Sequence, residues 1–219
     1  MNAGAPAIRA RDLHYAFEGS NARDGSKVLE GVSVDVPWGA VTAVTGTNGA
    51  GKSTLVELLA GVRRPCRGVV ERSADAALVV QRPAVRESLC VTVHDVVTMG
   101  TWGDRGLGRG PRSARERNRI VGRAIARVEM EGFERRPFSD LSGGQRQRVL
   151  LAQGLARSAK ILILDEPAAG LDDESQGRAR RILAEEANHG IAVVCVTHDR
   201  ADIAAADHVI RLERGAVLF

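Results

Sequence analysis

Nine consecutive residues, Gly46, Thr47, Asn48, Gly49, Ala50, Gly51, Lys52, Ser53 and Thr54, constrain the fold more than any other part of the chain. They follow the apolar run Val41, Thr42, Ala43, Val44 and Thr45, which reads as a buried strand. They lead into Leu55, Val56, Glu57, Leu58, Leu59 and Ala60, which read as a helix. Glycines at this junction let the backbone wrap closely. Successive N–H groups and the positive end of the helix then converge on one anion. Lys52 adds a point charge for terminal phosphates, and the Ser53 hydroxyl is placed to ligate Mg²⁺. The loop alone therefore implies a nucleoside triphosphate and nothing finer.

Composition narrows the class. At 219 residues the chain is long enough for one large domain, or for a core with an inserted subdomain. Its apolar runs fall far short of the roughly 20 residues a membrane span requires. The start, Met1 to Pro6, has neither the basic residues nor the apolar stretch of a signal peptide, so a cytosolic chain is expected. Cys66, Cys90 and Cys195 are odd in number and widely spaced, which favours reduced, structural thiols over a zinc or redox motif. The net charge of +4 is carried almost wholly by arginine. It fits a solvated surface better than a nucleic-acid or membrane patch.

Taken in order, residues 7–13 and 32–36 alternate apolar and polar side chains around a turn at Pro37 and Gly39. That pattern predicts half-exposed antiparallel strands. Tyr15, just past the first of these, either stacks on a base or packs in the core. Arg63, Arg64, Pro65 and Gly68 read as a turn. Residues 82–140 change character, becoming arginine-rich and helical in pattern. They contain a helix over 91–99 and a longer charged one over 112–131, separated by a glycine-rich loop. This block reads as an inserted helical subdomain. Residues 211–218 read as a final short strand pair.

Four apolar runs end abruptly on polar residues: at Gly46, Gln81, Asp165 and His198. Continuous apolarity is the mark of parallel strands covered on both faces. The polar ends of such strands meet at the carboxyl edge of the sheet, where open α/β sheets bind ligands. There Asp165 is the acidic partner for Mg²⁺, and Glu166 is placed to orient or deprotonate an attacking water. His198 either senses a γ-phosphate or is structural. A second anion site is written into Leu141, Ser142, Gly143, Gly144 and Gln145, where a good N-cap and bare glycines open another helix. A second phosphate-binding helix end without a second phosphate loop makes sense if it serves another copy of the molecule.

Leu141 to Gln145 is identical to the ABC-transporter signature. With residues 46–54 as Walker A and 161–166 as Walker B, the chain resembles an ABC ATPase subunit over essentially its full length. That resemblance implies an α/β fold, with a P-loop NTPase (RecA-like) core, an N-terminal antiparallel β subdomain and the inserted helical subdomain. A single ABC ATPase domain would span 1–219, with core and β subdomain in 1–81 and 141–219 and the helical part in 82–140. It also implies that Tyr15 stacks on adenine, that Gln81 touches Mg²⁺ and the membrane partner, that Asp172 belongs to the D-loop and that His198 is the switch histidine. Lys52, Glu166 and His198 would be the catalytic set, and Ser53, Gln81 and Asp165 would hold the metal.

The activity implied is ATP hydrolysis in a head-to-tail homodimer at the cytoplasmic face of the membrane. It would be coupled to permease subunits and an extracytoplasmic substrate-binding protein, with no nucleic-acid partner. Residues 91–100 look like the metal-ion importer branch that serves zinc or manganese uptake, although Cys90 stands where that branch carries proline. Two other readings stay open: a soluble ABC ATPase acting on nucleic acid, prompted by the arginines over 105–127, and the ATPase of an exporter or lipoprotein-release system.

Overall fold

The structure, a computed structural model, describes residues 4–17, 27–79, 90–102, 113–168 and 170–218. Gln81 and the glycine-rich loop lie outside them. Continuous apolarity resolves into a parallel sheet. Strands β3 (Val41–Gly46), β5 (Ala76–Val79), β6 (Ile161–Asp165), β7 (Ala192–Val196) and β8 (His208–Glu213) line up in the order β5, β6, β7, β3, β8. A short antiparallel strand β9 (Ala216–Leu218) closes the edge beside β8.

Alternate residues of the central strands feed two cores. Ile161, Ile163, Ala192, Val194 and Val196 face one side, with helix α1 (Lys52–Ala60) over them. Leu162, Leu164, Val193 and Cys195 face the other, under helices α4 (Gly143–Ala156) and α5 (Asp173–Asn188). A strand covered on both faces has no position at which a polar side chain is cheap, and this accounts for the unbroken apolar runs.

The expected antiparallel strands are β1 (Ile8–Ala16) and β2 (Lys27–Val36). A third, β4 (Arg67–Arg72), joins them on the other side of β1, in a place where the sequence reads only as a turn. Its side chains are nearly all exposed, so the apolar signal that marks the other strands is missing there. In β1 the register shifts between Ala10 and Leu13, and Asp12 sits at φ 50. This is a β-bulge, and it moves the buried face from Ile8 and Ala10 to Leu13.

The helical region contributes α2 (Val93–Met99) and α3 (Ala114–Arg127), both packed on α4. Thr92 and Asp95 form a capping box that starts α2, and Ser113 caps α3. The base of the region is zipped by backbone bonds from Val93 to Arg136, His94 to Glu134 and Phe138 to Val91. One further helix, α6 (Arg200–Ala205), follows β7, capped by Asp199. Among the described residues no helix is long and apolar enough to cross a membrane.

Candidate functional site

The loop from Gly46 to Gly51 closes because two of its glycines lie against other backbone. A Cβ at Gly46 would stand 2.2 Å from the Leu212 carbonyl oxygen of β8. One at Gly51, where φ is 98, would meet Leu29 at 2.7 Å and the Val28 carbonyl at 2.8 Å. Gly51 is the N-cap of α1 and offers no side-chain oxygen to the first turn. The N–H groups there are left for an external acceptor. Lys52 is 8% exposed, and its Nζ donates to the carbonyls of Gly46 (2.9 Å) and Thr47 (3.0 Å). The ammonium thus braces the loop with bonds that it can exchange for phosphate oxygens.

Sheet order brings the other polar strand ends beside this loop. With β7 between β3 and β6, the edge carries Gly46, then Thr197 and His198, then Asp165 and Glu166. Burial pushes the Asp165 carboxyl above its ordinary range. The Ser53 hydroxyl, which donates to it, and Lys52 pull the other way, while Glu166 pushes with burial. A desolvated carboxylate held by the Ser53 hydroxyl has the donor chemistry of a hard cation site. Glu166 sits at φ 49, a conformation uncommon for a side chain of its size, and its N–H donates to Val196 at 3.1 Å. Its carboxylate lies 3.8 Å from His198 Nδ1. That distance is too long for a hydrogen bond and short enough for charge attraction when the ring is protonated.

The second candidate anion site faces solvent. Ser142 and Gln145 form a reciprocal capping box. Ser142 Oγ accepts from the Gln145 N–H, and Gln145 Oε1 accepts from the Ser142 N–H. Gly143 and Gly144 precede the first residue that can bond within the helix, so their N–H groups point outward at the helix end. Asp172 is exposed and caps α5 by accepting from Ser175 N at 2.9 Å, which holds its carboxyl below the usual range. The edge cluster belongs to the strand ends of the sheet, and the Ser142 helix end opens α4.

Tyr15 is half-buried, and its hydroxyl accepts from Arg63 Nη1 at 2.9 Å, while Arg63 also pairs with Glu57. Phe17 beside it is 49% exposed, edge-on to Tyr15 at 5.4 Å between ring centres, with the Arg63 guanidinium 5.3 Å from its ring centre. Sequence reading passed over Phe17. The signal that finds it is the spacing of two from Leu13 and Tyr15 along β1, resumed after the bulge.

A family model described as ABC transporter matches residues 29–169. The chain belongs to the ABC transporter family. It is an ATP-hydrolysing subunit of that family. This cassette is 43% identical over 206 residues to the hemin import ATP-binding protein HmuV of Streptomyces coelicolor, covering 88% of this chain and 72% of that one. It is 35% identical over 198 residues to the manganese transport system ATP-binding protein MntB of Listeria monocytogenes, covering 86% and 82%. Among solved structures, a chain of an ABC transporter described as of metal-chelate type, in an inward-facing conformation, superposes with a TM-score of 0.83. That chain is 29% identical, with 97% of this chain and 82% of that one covered. These cassettes share the fold expected from the strand pattern: a phosphate-loop sheet with an added antiparallel layer.

Proposed function

We propose that two copies of this cassette pair head to tail at the cytoplasmic face of a membrane. Each ATP is then enclosed by the strand-edge residues of one copy and the Ser142 helix end of the other. The observation that carries this reading is the separation of the two half-sites within a single chain. The loop, Lys52, Asp165, Glu166 and His198 share one sheet edge, while Gly143 and Gly144 open a different helix toward solvent. A phosphate that accepts from both sides links the copies, because charge-assisted bonds to oxyanions are about twice as strong as neutral ones.

Within each half-site Lys52 exchanges its loop carbonyls for terminal phosphate oxygens. Ser53 and Asp165, with Gln81, would hold Mg²⁺, which would supply neutralisation of developing phosphate charge. Glu166 accepts the proton of the attacking water, and His198, whose Nδ1 lies 3.8 Å from the Glu166 carboxylate, senses the γ-phosphate. The domain acts as one unit over 1–219, with residues 82–140 carrying its motion to permease subunits served by a substrate-binding protein and without nucleic acid. A metal ion or metal chelate is the cargo best supported, since the similar cassettes are named for manganese and hemin. Zinc remains the other divalent candidate.

The test is concentration dependence. ATPase activity per chain is expected to rise with protein concentration and to parallel dimer formation in sedimentation. Full activity in a strict monomer would exclude the composite pocket.

The adenine platform is assigned to the Tyr15 and Phe17 pair, with Phe17 the more exposed ring. Phe17→Ala is expected to raise the KM for ATP about fivefold or more, the effect of losing one base–aromatic stack. Tyr15→Phe keeps a ring but loses the Arg63 bond, and should lower stability by about 1 kcal/mol with KM unchanged. Steady-state kinetics with thermal unfolding separates the two.

A further inference from the structure

Gly143 and Gly144 are adjacent and identical, yet their surroundings differ. A Cβ built on Gly143 meets nothing nearer than Leu171 Cδ2 at 4.0 Å. One built on Gly144 lies 2.5 Å from Ser175 Oγ and 3.2 Å from Ser175 Cβ. The first separation is ordinary contact, and the second is one that no side chain tolerates without a shift. Ser175 cannot simply turn away. Its hydroxyl donates to Asp172 Oδ2 at 3.1 Å, and rotation would break that bond while leaving the Ser175 Cβ at a tight 3.2 Å. Asp172 is held in turn by the Ser175 N–H, and the preceding Leu171 carbonyl accepts from Gln176 Nε2 at 3.1 Å. The first turn of α4, residues 171–172 and the first turn of α5 are therefore one stack with Ser175 at its centre.

We infer that Ser175 is a positioning residue, the stop against which Gly144 seats, so that the Ser142 helix end and the Asp172 loop reach the partner copy as one rigid unit. Glycine is demanded at 144 by this chain's own Ser175, and at 143 by what arrives from outside. The inference rests on the composite-pocket reading for its consequence in catalysis, though the contact itself does not depend on that reading.

The experiment compares Gly143→Ala, Gly144→Ala, Ser175→Gly and the Gly144→Ala/Ser175→Gly double variant in steady-state ATP hydrolysis, with thermal unfolding of the nucleotide-free chains alongside. Gly144→Ala is expected to lower kcat about 10- to 100-fold with little change in KM, as misplacement of a binding group does. Ser175→Gly, which loses one hydroxyl bond to the Asp172 carboxylate, should lower kcat about threefold. In the double variant the added methyl should cost no more than about twofold beyond Ser175→Gly, because its obstacle is gone. Gly143→Ala should lower kcat as far as Gly144→Ala does and gain nothing from Ser175→Gly.

A double variant as inactive as Gly144→Ala alone overturns the inference. Wild-type hydrolysis by Gly143→Ala would instead remove the composite pocket. Unfolding midpoints then decide the contact. A midpoint for the double variant equal to that of Ser175→Gly upholds it, and a further drop overturns it.

Discussion

Glu166→Gln should abolish turnover, lowering kcat by about 10²- to 10⁴-fold, while ATP binding survives. The side chain keeps its shape and loses its basicity, so the proton of the attacking water has no acceptor at the end of β6. Nothing that grips the nucleotide changes, because Lys52 is braced by Gly46 and Thr47 and not by Glu166. With binding intact and hydrolysis blocked, ATP should hold two copies together long enough for size-exclusion chromatography to show a dimer that ADP does not support. A variant that hydrolyses ATP at the wild-type rate would remove Glu166 from its role. A stable ATP-bound monomer would remove the head-to-tail enclosure.

Arg127→Ala should be strongly destabilising although it lies outside the site. Glu186 on α5 is 1% exposed, and both of its oxygens meet Arg127 Nη1 from the end of α3, at 3.0 and 3.1 Å. Burial pushes this carboxyl above its ordinary range, and Arg127 and His189 pull it back. Breaking a buried pair strands a charge at a cost of about 3–5 kcal/mol. Arg127 is itself 44% exposed, so a loss of about 2–3 kcal/mol is expected here. In a chain of this size that lowers the unfolding midpoint by about 4–12 °C.

The sign of the pH dependence follows from the direction of the shift. An acid whose folded pKa lies above its unfolded one favours the fold at low pH and loses that contribution as pH rises through the folded value. Without Arg127 the Glu186 carboxyl rises further, so the penalty should be largest near pH 8 and shrink toward pH 5. Arg127→Ala/Glu186→Gln should recover most of the loss, since no buried charge remains. A pH-independent penalty that the double variant fails to relieve would show that packing, not charge, is what Arg127 supplies.

How far the sequence could be read depended on whether a residue's role is local. The phosphate loop, β6 with Asp165, and β7 with His198 are legible because a strand buried on both faces has no choice but apolarity. The break to polar residues then marks the sheet edge. Ser142 is legible because an N-cap acts within its own turn. β4 was not, since its exposed side chains leave no periodic signal. Phe17 was obscured by the bulge at Asp12, which interrupts the alternation that would have placed it on the face of Tyr15. The Arg127–Glu186 pair and the Gly144–Ser175 contact join residues far apart in sequence. No spacing rule connects them, and only the packing of α3, α4 and α5 reveals them.

The bracing of the phosphate loop from β8 sets an order on the molecule's synthesis. Leu212 forms the floor under Gly46, and Gly215, between β8 and β9, donates to the Ala50 carbonyl at 3.2 Å. These supports are encoded about 160 residues downstream of the loop they hold, so a ribosome adding about 5–20 residues per second reaches them some ten seconds or more after Lys52. A nascent cassette thus carries its nucleotide-gripping motif early but acquires the scaffold that shapes it late. Partly made chains should be unable to sequester ATP while still tethered to the machinery that makes them.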